Sequence, residues 1–208
     1  MIAELYKATL SQDGHTVCSD LSFVAHAGER VALVGGNPVD ASLVLQAMLG
    51  MYRLDSGWVC FDGEPMLPRV AARFRHEIAY MPRLFDMGDI SMEEVALAMY
   101  GERLNKCCQY RETDVVGNLA RLGVGRENLA HCLADMDAAT SQRALMALAF
   151  LFERPVALMD NPTSCQDECG RAAVIDYIGS SRFGNVATII ATDDTQLIAI
   201  CDKVVNVR

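Results

Sequence analysis

One segment near the N-terminus constrains the fold more than any other. It runs from Val31 to Ser42 and reads VALVGGNPVDAS. The apolar run Arg30 to Val34 predicts a buried strand that ends at Gly35, and the apolar stretch from about Ala41 to Leu49 predicts a helix. A strand, a glycine-containing loop and a helix in this order are the setting of a phosphate-binding loop, whose spacing is G-x-x-x-x-G-K-S/T. The segment therefore predicts an α/β fold with such a loop at this point.

The loop departs from that spacing at two positions. Gly35 and Ser42 are kept, but the second glycine is replaced by Asp40 and the lysine by Ala41. Losing the lysine removes charge-assisted hydrogen bonds of about 1.5–3 kcal/mol. A carboxylate about 6 Å from a phosphate charge adds roughly 2–3 kcal/mol of repulsion, and a sum of about 5 kcal/mol is roughly three to four decades in affinity. We expect weak phosphate binding at most, with Asp40 capping the helix and closing the loop.

The overall composition argues against several classes of function. The net charge of −9 over 208 residues disfavours binding to nucleic acid, which is itself negative. No apolar run reaches the roughly 18 residues that span a bilayer, and the N-terminus lacks the regions of a signal peptide, so we expect a cytoplasmic protein. The eight cysteines are scattered, and Cys165 and Cys169 lack the pair spacing of a zinc site. We expect reduced, packed thiols and no metal site.

Strand and helix signals alternate along the rest of the chain. The predicted strands are Ile2–Tyr6, Leu21–Ala25, Trp58–Phe61, Ile78–Met81, Val156–Met159, Val186–Ala191 and Val204–Val207, and the predicted late helices are Cys169–Ile178 and Thr195–Ala199. The region from Leu84 to Phe152 is helical, with a capping box at Ser91 to Glu94 and a buried helix at Ser141 to Phe152. This alternation predicts a mostly parallel sheet with helices on both faces.

Four stretches of sequence carry a family resemblance. They are LVGGNPVDASLVLQAMLGMYRLDSGWVCFDG, IAYMPR, SQRALMALAFLFERPVALMDNPTSCQD and TIIATDD. In this order and at these intervals, they resemble the ATP-binding domain of ABC transporters over nearly the whole chain. The resemblance implies a P-loop NTPase-like α/β core with a mostly parallel sheet, an antiparallel β portion and an inserted α-helical lobe. It implies one domain, 1–208, with the core lobe at 1–83 and 134–208 and the helical lobe at about 84–133.

The resemblance also indicates which functional positions have changed. The family's metal-sensing glutamine corresponds to Arg83, its catalytic glutamate to Asn161 and its switch histidine to Asp193. Asp160 is kept, and with Ser42 it forms a vestigial Mg²⁺ site. The vestigial phosphate loop is Gly35, Gly36, Asn37, Asp40, Ala41 and Ser42, and the degenerate signature is Met136, Asp137, Ala138, Ala139 and Thr140. We therefore expect no catalytic residue and no cofactor beyond weakly bound Mg-ATP.

The expected role follows from how the family builds its sites. Each site combines the phosphate loop of one subunit with the signature of another, and both contributions are altered here. A homodimer, or a heterodimer with an intact ABC ATPase subunit, would therefore lack a normal site. The resemblance implies a non-hydrolysing structural or regulatory subunit of a membrane transporter complex, peripheral on the cytoplasmic face. The expected groove for a membrane-protein partner surrounds Arg83, Phe85, Met92 and Glu94.

Two alternative functions stay open. One is a slow but genuine ATPase that uses Ser42, Asp160 and a basic residue from Arg83 or a partner. The other is a stand-alone module that binds a non-nucleotide ligand. Two groups of charged residues also keep two interpretations each: Asp40, Asp137, Asp193 and Asp194 as caps or as a cation-binding cluster, and Arg69, Arg73, Arg75 and Arg83 as a solvated face or as a contact patch.

Overall fold

The computed structural model describes residues 1–83, 88–102, 105 and 108–207. The chain forms two compact units: the first contains Met1–Arg83, Arg154–Asn161 and Ile178–Arg208, and the second contains Leu84–Glu153 and Pro162–Tyr177. The predicted helical lobe at 84–133 falls in the second unit, and the predicted lobe boundaries stay a prediction. Among the described residues, no helix combines the length and the apolar character needed to span a membrane.

The strands belong to two sheets of the first unit. In chain order they are β1 (Ala3–Gln12), β2 (His15–Ala25), β3 (Arg30–Gly35), β4 (Ser56–Phe61), β5 (Glu64–Pro65), β6 (Ile78–Met81), β7 (Val156–Asp160), β8 (Ala187–Ala191) and β9 (Lys203–Val207). A parallel sheet has the order β6-β7-β8-β3-β9, and an antiparallel sheet has the order β2-β1-β4-β5. Every residue of β7 and β8 is buried, as is usual for central strands of a parallel sheet. The predicted fold class is confirmed.

Strand β1 is longer than its sequence pattern indicates. The prediction ended it at Tyr6, but it continues to Gln12. The pairing register shifts after Leu5, and Lys7 adopts a φ of 43°. Such a bulge interrupts the alternation of apolar residues from which a strand is predicted. Beside the bulge, Gly57 has a φ of 78°, and a Cβ there would lie 2.3 Å from the Lys7 carbonyl oxygen, so only glycine fits.

The helices confirm the predicted elements but shift several boundaries. They are α1 (Pro38–Met48), α2 (Ala71–Arg75), α3 (Met92–Gly101), α4 (Glu112–Arg121), α5 (Ala138–Ala149), α6 (Glu168–Gly179) and α7 (Thr195–Ile198). The capping box of α3 is confirmed, because Ser91 Oγ accepts from the Glu94 N–H at 3.3 Å and the Glu94 carboxylate accepts from the Ser91 N–H at 2.9 Å. Helices α1 and α5 each begin three residues before their predicted starts. At α1 this shift changes the phosphate loop.

The core of the first unit connects both sheets with α1. Its fully buried side chains include Leu5 of β1, Leu33 of β3, Leu45 of α1 and Leu158 of β7. Because α1 is held by these contacts on the side facing the sheets, the position of its N-terminus after β3 is fixed by apolar packing. The core therefore positions the candidate phosphate loop whatever its polar residues are.

The cysteines that the structure describes are buried (Cys18 and Cys60), partly buried (Cys132 and Cys201) or exposed (Cys108, Cys165 and Cys169). Cys18 and Cys60 are buried as predicted, and burial raises the pKa of both thiols. Cys165 and Cys169 are exposed, so the prediction of packed thiols is wrong for this pair. Cys165 lies in the polar segment between the buried strand β7 and α6, and Cys169 lies in the first turn of α6.

Candidate functional site

The candidate phosphate loop connects β3 to α1. Asn37 is the N-cap of α1, and its side-chain oxygen accepts a hydrogen bond from the Val39 N–H at 3.1 Å. The Asp40 N–H donates to the Asn37 carbonyl oxygen at 3.0 Å, and Pro38, the first residue of the helix, has no N–H. The backbone amides that a phosphate loop turns towards its ligand are therefore bonded within the chain or missing at these positions.

The predictions that α1 starts near Ala41 and that Asp40 caps it are wrong. Asn37 caps the helix, and Pro38 begins it. Asparagine is among the residues most favoured at the N-cap, and proline is favoured at the first helical position because its φ is already helical. The Asn-Pro pair is thus a start signal in the printed sequence that outweighs the spacing of the phosphate motif.

The Asp40 carboxylate points instead towards His15. Asp40 is buried, and its Oδ1 lies 3.5 Å from Nε2 of the exposed His15 side chain. His15 opens β2, just after the Asp13-Gly14 turn. No spacing rule connects residues 15 and 40, so no sequence pattern predicts this contact. Ala41, at the position of the lysine, is buried and adds no cation.

The predicted pair of Ser42 and Asp160 does come together. Ser42 Oγ in the first turns of α1 donates to Asp160 Oδ1 at the end of β7, at 2.7 Å. The Asn161 side-chain amide donates to the same oxygen at 2.9 Å. All three residues are buried, and Asn161 has a φ of 49° with its N–H bonded to the Ala191 carbonyl oxygen at 2.9 Å. The position of the catalytic glutamate thus carries an amide that bonds to its own neighbour.

Tyr80 on β6 lies near this pair and was not identified from the sequence. Burial raises the pKa of its phenol to about 12, and the negative charge of Asp160 acts in the same direction, against a smaller opposing effect of a hydrogen bond with Gln46. The phenol is therefore neutral at physiological pH and supplies no charge to the site. Its place inside an apolar strand hides it from motif-based prediction.

The segment after β8 carries the position of the switch histidine. Asp193 there is exposed. The next residue, Asp194, caps α7, since its Oδ1 accepts from the Gln196 N–H at 2.9 Å. Its own N–H donates to the hydroxyl of the buried Thr192 at 3.1 Å. For Asp194 the cap interpretation is confirmed.

The degenerate signature lies at the start of α5 in the second unit. Asp137 is the N-cap, and its Oδ1 accepts from the Thr140 N–H at 2.9 Å. This backbone hydrogen bond is the main reason why the pKa of Asp137 is lowered. Ala138 is exposed, whereas Met136, Ala139 and Thr140 are partly buried. The start of α5, like that of α1, is thus capped by a side chain of its own segment.

The acidic residues of the second unit near α5 do not form a metal site. Glu127, His131, Asp135 and Asp137 line one cavity of about 440 Å³. Nevertheless, within the part of the chain that the structure describes, no three His, Cys, Asp or Glu side chains are placed to share a metal ion. With Asp137 and Asp194 acting as caps, the interpretation as a cation-binding cluster loses two of its four members.

The predicted partner groove is only partly available to a partner. Arg83 is exposed, but Met92 is fully buried, so its place on a contact surface is wrong. The Glu94 carboxylate is occupied by the capping box, which lowers the pKa of that residue. Phe85 lies outside the described residues. Exposed apolar side chains of the second unit are instead Ile90, just before α3, and Leu97 within it.

Comparison with known proteins agrees with this fold. The ABC transporter family model matches residues 18–164. Among similar proteins are the zinc import ATP-binding protein ZnuC of Paramagnetospirillum magneticum, 29% identical over 94% of this chain and 70% of its own length, and the cytochrome c biogenesis ATP-binding export protein CcmA of Nitrobacter hamburgensis, 30% identical over 86% and 85%. Other relatives are longer, and the chain covers 60% of an Fe(3+) ions import ATP-binding protein, FbpC 2, of Pectobacterium atrosepticum.

Solved structures show the same fold. The ATP binding subunit of an ABC transporter superposes with a TM-score of 0.85 at 19% identity, covering all of this chain and 86% of that one. The dimeric structure of a bacterial ABC transporter cassette superposes with a TM-score of 0.84 at 16% identity, covering all of this chain and 94% of that one. Together with the family match, these findings establish that the chain belongs to the ABC transporter family as an ATP-binding-domain protein.

Proposed function

We propose that this chain is a degenerate ABC ATP-binding domain that does not hydrolyse ATP and serves as a structural or regulatory subunit of a membrane transporter complex. The observation that carries the proposal is the closed start of α1. Asn37 bonds the Val39 N–H at 3.1 Å, and the buried Asp40 stands at the sequence position of the loop's second glycine. Where the family's loop binds an anion, this chain has a helix cap, Asn37, and a carboxylate, Asp40.

The residues of the loop meet only part of what a Mg-nucleotide requires. A triphosphate needs free amides and a cation, but Val39 and Asp40 amides are bonded within the chain and Ala41 has no charge. The loop residues therefore do not fit the triphosphate of the nucleotide. Ser42 Oγ and Asp160 Oδ1, 2.7 Å apart, are oxygen ligands of the kind Mg²⁺ accepts. This pair fits Mg²⁺, but without the phosphate oxygens the ion would lack most of its ligands.

The signature segment supports the same proposal. A helix N-terminus attracts a phosphate through its dipole and its free amides. At the start of α5, the Asp137 carboxylate already accepts from the Thr140 N–H at 2.9 Å. A partner subunit that presented its nucleotide to this segment would meet a carboxylate, so a heterodimer would also be impaired at its second site.

A hydrolysis assay distinguishes this proposal from its rival. The purified native chain is incubated with Mg-ATP, and the Asp160→Ala variant is incubated separately as the matched control. We expect phosphate release at background rate for both proteins. Release by the native chain that Asp160→Ala abolishes would overturn the proposal. That outcome would support a slow ATPase, which the retained 2.7 Å pair of Ser42 and Asp160 favours.

We also propose that the chain dimerises with itself or with another ABC ATPase subunit and contacts a membrane protein on the cytoplasmic face. A similar cassette has been solved as a dimer. For the membrane partner we propose a surface of the second unit around the exposed Ile90. Ile90→Glu should abolish co-purification with that partner, whereas Val204→Glu, a change at another exposed apolar residue, should not. Equal co-purification of both variants would reject this surface.

A further inference from the structure

A second surface of the first unit has features of a binding site that the nucleotide chemistry leaves unexplained. A cavity of about 830 Å³ lies between the loop that follows α1, the start of β4 and the segment 65–71. Apolar side chains line it and are open to water: Met51 is 59% exposed, Trp58 52% and Leu67 41%. Apolar patches concentrated in this way mark interaction sites more often than single exposed residues do.

The backbone holds this cavity in one shape. The Trp58 ring stacks on the ring of Tyr6, its partner across β1 and β4, with centroids 5.1 Å apart and planes at 21°. The loop after α1 is held at its far end by the Asp55 N–H, which donates to the Thr9 carbonyl oxygen at 2.8 Å. The opposite wall is held by the Met66 N–H, which donates to the Val59 carbonyl oxygen at 2.8 Å. A ligand that binds here would lose less free energy to ordering of the protein surface, because these contacts already hold it.

The charge of the cavity is opposite to that of the chain. Its lining includes the exposed Arg53 and Arg75, and Asp55 is the acidic residue among the lining residues. Arg75 is oriented by a hydrogen bond from its Nη1 to the Leu49 carbonyl oxygen at 3.5 Å. Arg73, nearby on α2, is paired with Glu64 at 3.3 Å. In a protein with a net charge of −9, this local excess of arginine favours acidic partners.

We propose that this cavity docks a segment of a partner protein that combines an aromatic or aliphatic anchor with Asp or Glu residues. Tryptophan, tyrosine, methionine and arginine are the residues enriched at protein interfaces, and Trp, Tyr and Arg carry most of the binding energy there. The cavity presents each of these types in Met51, Tyr52, Arg53 and Trp58. The anchor would pack against Trp58, and the carboxylates would pair with Arg53 and Arg75.

The test uses the full chain and a peptide probe. Short random peptides displayed on phage are selected against the immobilised protein, and the enriched sequences are synthesised. Binding is followed through Trp58, the single tryptophan of the chain. We expect enriched peptides that pair Asp or Glu with apolar residues, and a blue shift of Trp58 emission on binding, because the peptide removes the ring from water.

Two variants of one exposed position isolate the role of charge. Met51→Glu should weaken peptide binding about tenfold or more, because it places a carboxylate beside the acidic peptide, while Met51→Lys should keep or strengthen binding. Val204→Ala, at a residue 51% exposed on β9, is the control and should leave binding unchanged. Both Met51 variants change a surface side chain, so thermal unfolding should be near that of the native chain.

Several results would overturn the inference. Absence of enriched peptides, selection of basic peptides, or equal binding by Met51→Glu and Met51→Lys would each reject the acidic segment. A concentration-dependent dimer that Met51→Glu dissociates in analytical ultracentrifugation would assign the surface to a second copy of this chain instead. None of these results depends on whether the phosphate loop binds nucleotide, so this inference can fail while the proposed function stands.

Discussion

Replacing Ser42 by alanine tests the buried pair at the centre of the site. Ser42 Oγ donates to the carboxylate of Asp160 at 2.7 Å, and Asp160 is 2% exposed. Hydrogen bonds to a charged group contribute about 1.5–3 kcal/mol, and water does not readily replace a donor at a buried oxygen. Ser42→Ala should therefore lower the free energy of unfolding by about 1.5–3 kcal/mol. For a chain of this length, that is a fall in Tm of about 3–12 °C.

The matched control is Ser22→Ala. Ser22 Oγ accepts from the Lys7 N–H at 2.8 Å, but this bond is exposed, so water can take the place of the hydroxyl. We expect Ser22→Ala to change the free energy of unfolding by about 0.5 kcal/mol or less. Urea unfolding followed by far-UV circular dichroism measures both variants. If Ser42→Ala lowers the free energy of unfolding no more than Ser22→Ala does, the pair of Ser42 and Asp160 does not stabilise the fold.

Three further predictions concern the loop and its supports. Asn37→Ala leaves the Val39 N–H without its 3.1 Å acceptor and should cost about 1 kcal/mol in urea unfolding. Gly57→Ala forces a Cβ to 2.3 Å from the Lys7 carbonyl oxygen and should cost about 1–3 kcal/mol, seen as a lower Tm. Because the pKa of Tyr80 is raised to about 12 from an ordinary value of about 10, the folded state holds its proton longer than the unfolded state, so the stability that Tyr80 contributes is lost as pH rises between these values. Ultraviolet titration of the native chain should show a phenol that ionises near pH 12, and this phenol should be missing in Tyr80→Phe.

The sequence predicted the elements well because their patterns are local. Strand β6 was predicted with its observed bounds, and the capping box at Ser91 follows from two residues three apart. Strand β1 was cut short because its bulge at Lys7 breaks the apolar alternation on which the prediction rests. Local patterns carry no information about a backbone conformation that tertiary pairing imposes.

The candidate site was predicted as a set of residues but not as an arrangement. Ser42 and Asp160 meet as expected, since α1 follows β3, β7 ends at Asp160, and both strands belong to one parallel sheet. The cap on α1 comes from Asn37 rather than Asp40 because Asn-Pro is a stronger local start signal than the phosphate motif. The contact between His15 and Asp40 joins β2 of the antiparallel sheet to helix α1 and depends on their packing, so no motif could reveal it.

We infer that the loop between β3 and α1 excludes nucleotide because the Val39 and Asp40 amides are bonded within the chain and the lysine is replaced by an uncharged Ala41 beside Asp40. Calorimetric titration with Mg-ATP tests it most directly, on the native chain and on Pro38→Gly/Asp40→Gly/Ala41→Lys, which reopens the loop and restores the cation. We expect no measurable binding by the native chain and a recovery of about three decades in affinity by the triple variant. Micromolar binding by the native chain, or a folded triple variant that does not bind Mg-ATP, would show that these loop residues do not exclude nucleotide.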